Sequence, residues 1–234
     1  MPYRKEELAN GEYYHIMNRG VDGRDIFTEE GDYKRFLEGL KEFNTSARIK
    51  IRDLRYIRQN TNPIGGISTN RIGVNESLVE ILCYCLLPNH FHLLVKQITD
   101  DGVAEFLRKI GIGYTHYFNI KTERQGHLFQ GRFRAVHISR EAHFLHISRY
   151  IHLNALDLLD TKWREGALKD WDSAKKQLES YPWSSYRVFI GQESSEFCRP
   201  EMLGEIFKTP RHYEDFLKGW TKRNYGDLRE YVLE

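Results

Sequence analysis

The chain has too few cysteines, too little net charge and apolar runs too short for several classes of protein. Cys83, Cys85 and Cys198 are an odd number, and the first two stand only two apart. That is a poor framework for disulfides, so reduced thiols are expected. The longest apolar runs, such as Ile81 to Leu87, fall far short of the ~18 residues that a membrane helix needs. Met1 to Asn10 is charged rather than signal-like, so the expectation is a cytoplasmic protein with no membrane partner. Internal repeats and low-complexity segments are also missing. The net charge is only +2, from 35 Lys and Arg against 33 Asp and Glu, which at first sight argues against a nucleic-acid partner. What is present is ordinary globular composition: 234 residues, 40% of them hydrophobic. That suffices for one domain with additions or two small ones, and excludes disorder as the main state.

The charge is not evenly spread. Residues 101 to 150 hold eight Lys and Arg (Arg108, Lys109, Lys121, Arg124, Arg132, Arg134, Arg140, Arg149) against four acids. Tyr114, Tyr117, Phe118, Phe129 and Phe133 lie among them. Cations interleaved with aromatics can follow a phosphate backbone and stack on unpaired bases. The same composition also describes an amphipathic surface helix with a charged outer face.

Strand-like and helix-like segments alternate. Tyr13 to Arg19 reads as a strand, followed by a helix from Asp32 that ends near Asn44. Ile49 to Ile57 reads as a strand, and residues 58 to 76 as an insertion. Leu78 to Leu87 and His90 to Ile98 flank Pro88-Asn89 as a tight antiparallel pair. A helix is expected over Val103 to Ile120, weakened by Gly111 and Gly113. Phe133 to Ser139 alternates as a strand, and a helix carrying Phe144, Leu145, Ile147, Ile151 and Leu153 follows. The class is α+β, with an antiparallel sheet and flanking helices over residues 1 to 156. Residues 157 to 234 form a C-terminal extension with a helical tail from Arg211 to Trp220, which packs on the core or contacts DNA.

His90-Phe91-His92 puts two imidazoles on one face of a strand, where two ligands can share a cation. Tyr150 and Asn154, four apart on a helix, project together. A carboxamide oxygen and two imidazole nitrogens leave open positions on an octahedral divalent ion for a phosphate oxygen and water, with the phenol beside it as a nucleophile. The plainer reading has Tyr150 anchoring the helix in the core and Asn154 capping its end. Cys83, Cys85, His90 and His92 also form a C-x-C-x4-H-x-H array, although structural zinc sites usually space their cysteines more widely.

Leu87-Pro88-Asn89-His90-Phe91-His92-Leu93-Leu94-Val95 resembles the signature of single-tyrosine HUH transposases, in which U is a hydrophobic residue, and in particular of the REP-associated tyrosine transposases. Four further segments match in the same order: Tyr14 to Gly20, Gly126 to Phe133, Arg149 to Asn154 and Tyr181 to Tyr186. The match spans roughly residues 11 to 190. The chain departs from the commoner pattern in its 58–76 insertion and in Ala155, where a proline usually follows the asparagine.

The resemblance implies a ferredoxin-like sheet, His90, His92 and Asn154 as metal ligands, and Tyr150 as the nucleophile. It passes over Tyr114 and Tyr117, because the family carries its tyrosine on the helix after the last core strand. It further implies an Mg²⁺- or Mn²⁺-dependent transesterification of single-stranded hairpin DNA through a 5′-phosphotyrosine, by a monomer or a homodimer. Lys121, Arg124, Arg132, Arg134 and Arg149 are the candidate DNA contacts, although surface solvation describes Arg132 and Arg134 equally well. His146, four before Tyr150, either orients the phenol or accepts its proton, or is a polar neighbour without a catalytic role. Two rival readings are a hairpin-binding protein that does not cut and a zinc-stabilised interaction domain. If hairpin shape outweighs bulk charge, hairpin affinity should fall only gently with added salt, giving a shallow slope in fluorescence anisotropy titrations across salt concentrations.

Overall fold

The computed structural model describes residues 8–46, 76–159, 163–165, 170–200, 206–220 and 233. The strand expected at 49–57 lies outside these residues, as does the expected insertion apart from Glu76. A four-stranded antiparallel sheet is formed by β1 (Tyr13–Arg19), β2 (Val79–Leu87), β3 (His90–Gln97) and β4 (Arg134–His137). Its spatial order is β2-β3-β1-β4. Helix α1 (Glu30–Glu42) joins β1 to β2, and α2 (Gly102–Lys121) joins β3 to β4. Among the described residues the succession is βαββαβ, which in that spatial order is the ferredoxin-like arrangement. Helix α3 (Glu141–Leu153) follows β4. Strand β4 is shorter than the alternation of Phe133 to Ser139 suggested.

Alternation along the strands divides the core in two. Tyr14, Ile16, Phe91, Leu93 and Val95 face α1 and α2. Leu87, Leu94, Cys83 and Cys85 face α3. Every residue of β2 except Glu80 is buried, as expected of a strand covered on both faces. The β2–β3 turn is the expected two-residue link, with Leu87 paired to His90 across Pro88-Asn89. The Pro88 carbonyl accepts from the Ile26 and Phe27 amides at 2.7 and 2.9 Å, which locks the turn to the loop after β1.

The described part of the C-terminal extension covers the core. Helix α4 (Trp171–Ser180) supplies Ala174 and Leu178, and α6 (Pro210–Trp220) supplies Tyr213 and Leu217, to the apolar cluster beneath α3. A short helix, α5 (Tyr186–Phe189), lies between them. The chain before α5 runs along β2: the Leu86 amide donates to Trp183 O, and the Ser185 amide to Tyr84 O. The outer edge of the sheet is thereby partnered. His152, fully buried on α3, meets Tyr213 Oη at 2.5 Å and Ser185 Oγ at 2.8 Å, fastening the extension to the core. Among the described residues no helix is long and apolar enough to cross a membrane.

The glycines that weakened the sequence reading of α2 do not interrupt it. A Cβ on Gly113 would stand 2.5 Å from the ring of Phe43, which is buried at the end of α1, so glycine here permits the close approach of the two helices. Gly111 has open space around its missing Cβ. The two positions should therefore respond to alanine in opposite ways. Gly111→Ala is expected to stabilise by about 0.5–1 kcal/mol. Gly113→Ala should destabilise by about 1–3 kcal/mol through overpacking. Urea unfolding of the two variants tests this, and equal shifts would contradict it.

Candidate active site

The period of two that buries Phe91 against α2 turns His90 and His92 toward α3. Strand β1 adds a third imidazole: His15 is paired with Leu94 and Met17 with His92, so His15 and His92 share that face one step apart. His15 Nε2 lies 3.0 Å from His92 Nδ1, and the two rings stack at 5.1 Å. The His90 ring stands nearly perpendicular to His92 at 5.0 Å. Helix α3, packed over β2 and β3, brings Tyr150 onto this group. The Tyr150 ring meets His15 and His92 edge-on at 5.7 and 5.5 Å.

Asn154 ends α3 as its C-cap. Its Nδ2 donates to the Tyr150 carbonyl at 2.8 Å, and its Oδ1 accepts from Arg164 Nη2 at 2.7 Å. The cap and the neighbour of Tyr150 are thus one residue. Tyr150 and Asn154 are completely buried. Tyr150 Oη donates to the Leu233 carbonyl at 3.4 Å and accepts from Arg164 Nη1 at 3.2 Å.

Electrostatics keep the histidines neutral. Burial, reinforced by the nearby Arg19 charge, pushes His90 down to about 4. His92 is held well below the usual histidine range by burial and then by its neighbours His15 and His90. Neutral imidazoles retain the lone pair that a metal ligand needs. Their orientation suits that role. His90 Nδ1 donates to Asn89 Oδ1 at 2.6 Å, which leaves the lone pair on Nε2, and the 3.0 Å contact with His15 Nε2 holds the His92 ring through its Nδ1. Two imidazoles and a carboxamide oxygen are donor types that suit a divalent cation, and Asn154 Oδ1 is here bonded to the Arg164 guanidinium. Among the described residues there is no group of three or more His, Cys, Asp or Glu able to hold a metal. Burial drives the Cys83 and Cys85 thiols well above their ordinary range, so they stay protonated as free core thiols.

Residues 71–154 match the family model of IS200-like transposases. This stretch contains the β2–β3 hairpin, α2, β4 and α3, and the match agrees with the resemblance carried by the motifs. The fold is also that of a solved REP-associated tyrosine transposase bound to a REP hairpin, at 13% identity and a TM-score of 0.50, over 85% of this chain and 98% of that one. No curated protein sequence is significantly similar to the chain.

The IS200-like stretch places the expected DNA contacts in three different environments. Arg132 and Arg134 are exposed at the start of β4. Lys121 and Arg124 are engaged by the protein itself: Lys121 Nζ lies 2.6 Å from the buried Asp32 carboxylate and 2.8 Å from Glu29, and Arg124 bonds Asn119 Oδ1 and the His127 carbonyl. Arg149 requires correction. It is 4% exposed, with its guanidinium 4.1 Å over the Phe216 ring and Nη1 donating to the Phe216 carbonyl. Its position on α3 faces α6, so it braces the extension instead of meeting solvent. His146, the possible accessory, contacts Arg149 at 2.6 Å and stacks on Phe216, on this same side of α3. Tyr114 and Tyr117 hold the opposite layer, bonded to the Ile26 carbonyl and to Asp32.

Sequence reasoning did not single out His15, Asp157, Trp163 or Arg164. His15 sits inside the Tyr14 to Gly20 motif and shares the strand face of Tyr13, a signal that could have paired it with His92. Arg164 lies outside every motif, between Asn154 and Tyr181, and only the fold brings it to Tyr150. Away from the tyrosine, a groove of about 1070 Å³ opens between α2 and the loop at 127–133, where Phe91, Phe129 and Phe133 meet Arg108, His116 and Arg132.

The neutral buried histidines set a pH dependence of folding. Burial holds His152 down to about 3, against an ordinary 6.5. Below about pH 6.5 the unfolded chain takes up protons that the folded protein refuses, so stability falls with pH until the folded-state values near 4 for His90 and 3 for His152 are reached. For His152 the loss is on the order of 1.4 kcal/mol per pH unit within that window. Urea unfolding at about pH 7.5 and about pH 5 should show the drop, with a shallower slope in His152→Gln. A pH-independent midpoint would contradict this account.

Proposed function

We propose that the chain is a metal-dependent transposase that cuts and rejoins single-stranded DNA beside a hairpin, with Tyr150 as the nucleophile. One observation carries this reading: on a sheet shared with a hairpin-bound transposase, two neutral histidines of β3 lie ring to ring, one of them edge-on to the Tyr150 phenol of α3, with Asn154 one helical turn beyond.

In the proposed step, Tyr150 Oη attacks the scissile phosphorus, the P–O3′ bond breaks, and the 5′ end remains as a phosphotyrosine. The 3′-hydroxyl reverses the step by attacking the same phosphorus. His90, His92 and Asn154 are the residues that would hold Mg²⁺ or Mn²⁺, which would act as a Lewis acid on a non-bridging phosphate oxygen. His15 fixes the ring of His92, and Asn89 that of His90. A phenol, with an ordinary pKa near ~10, is a modest nucleophile and an adequate leaving group, which suits a reversible transfer. Exposed Arg132 and Arg134, with the aromatic groove beside them, suit phosphate contact and base stacking on an unpaired strand.

Tyr150 is 0% exposed and its Oη bonds the Leu233 carbonyl at 3.4 Å, so a phosphate reaches Oη only if its present cover gives way. That burial also favours a second reading, a hairpin-binding protein that does not cut. Incubating the protein with Mn²⁺ or Mg²⁺ and labelled hairpins carrying single-stranded flanks separates the two. A covalent protein–DNA band is expected on a denaturing gel. It should vanish with chelator and in Tyr150→Phe, and fall by roughly 10²–10³-fold in His92→Ala, while Tyr150→Phe keeps hairpin affinity. Persistence of the band in Tyr150→Phe would remove Tyr150 from its role. Unchanged hairpin binding with no band at any hairpin or metal would favour the non-cutting reading.

A further inference from the structure

We propose that Arg164 is a catalytic residue of this site, its guanidinium stabilising Tyr150 Oη whenever that oxygen carries charge during strand transfer. The proposal rests on the reading of Tyr150 as the nucleophile. Arg164 lies ten residues beyond Asn154, in a 3-10 turn over Trp163–Glu165, so it comes to the site from the C-terminal extension.

One planar group reaches both oxygens. Nη1 donates to Tyr150 Oη at 3.2 Å and Nη2 to Asn154 Oδ1 at 2.7 Å. The guanidinium is held from behind by Asp157, whose Oδ1 accepts from Nε at 3.2 Å and whose Oδ2 accepts from Nη2. Trp163 Nε1 donates to the same Asp157 Oδ1 at 2.6 Å, and the guanidinium carbon lies 4.7 Å from the Trp163 ring and 5.4 Å from the Tyr150 ring. Satisfying Asp157 alone would not require the side chain to span the tyrosine and the asparagine as well. A lysine has one donor centre and cannot reproduce this fork.

The chemistry calls for such a group at Oη. The phenol loses its proton to water and the oxygen forms the Oη–P bond as P–O3′ breaks, with the departing 3′ oxygen taking a proton from water. In the reverse step Oη leaves as a phenolate. Arg164 exchanges no proton in either direction. A fixed cationic donor in a buried site stabilises an oxyanion without needing to reorganise, and bonds to a charged oxygen are stronger than neutral ones. Because the same contact serves both directions, cleavage and rejoining should slow together.

The test uses the full chain with Mn²⁺ and a labelled hairpin that the wild type converts to the covalent adduct. Single-turnover rates at saturating DNA and metal are compared for wild type, R164A and R164K, alongside hairpin affinity by anisotropy and Mn²⁺ affinity by electron paramagnetic resonance. R164A is expected to lose roughly 100-fold in rate, forward and reverse alike. Both affinities should stay within about threefold, added guanidinium ion should restore part of the rate, and R164K should recover less than about tenfold. Three results would overturn the proposal: an unchanged or faster R164A, a rate loss matched by an equal loss of Mn²⁺ or hairpin affinity, or full activity in R164K. If R164A does not fold, R164K and D157N decide, since D157N frees the guanidinium from its anchor and should slow the adduct rate without weakening hairpin binding. Failure of the wild type to form any adduct would instead overturn the functional reading, and this inference with it.

Discussion

The antiparallel pairing of β1 with β3 is the constraint on which the other arrangements depend. With Met17 opposite His92 and His15 opposite Leu94, strand alternation brings two imidazoles from distant parts of the chain to a 3.0 Å contact. A slip of one residue would turn His15 into the layer beneath α1 and α2, and Tyr14 into its place. The same register sends Ile16, Phe91 and Leu93 into the opposite core layer, so apolar burial on one face holds the polar cluster in place on the other.

The face bearing that cluster is closed by α3 and by the extension. A buried polar group is costly unless it is bonded, and the partners here come from several segments. His92 finds its partner on β1, Asn154 on α3 and in the turn at 163–165, and His152 on α5's N-terminal flank and α6. The extension therefore satisfies buried polar atoms of the core as well as covering its apolar surface. This mutual dependence accounts for Arg149 and His146 meeting Phe216 of α6, with Arg149 buried in the contact.

Charge is handled locally throughout. Asp32 is pushed up by burial, yet the bonds from Lys121, Thr28 and Tyr117 outweigh this and leave its carboxyl below the usual range. Asp157 does the same service for Arg164 beside the histidines. Part of the excess positive charge in residues 101 to 150 is thus engaged inside the protein, as by Lys121, while Arg132 and Arg134 are exposed at the start of β4. The near-neutral total and the basic segment are consistent once these internal pairings are subtracted.

The chain itself determined its local elements and its motif residues. Strand alternation at Tyr13 to Arg19, the two-residue break at Pro88-Asn89 and the helical spacing in α1, α2 and α3 are short-range patterns that persist in the fold. The shared face of His90 and His92 follows from the strand period alone, and the proximity of Tyr150 to Asn154 from the helical period. Tertiary structure decided what sequence separation conceals. It set His15 against His92 through strand register, buried Arg149 through the docking of α6, tied Lys121 to Asp32 across two helices, and brought Arg164 to Tyr150 through a turn with no periodic signature. Periodicity reports which way a side chain points within its own element. What it meets there depends on long-range packing, which no local spacing records.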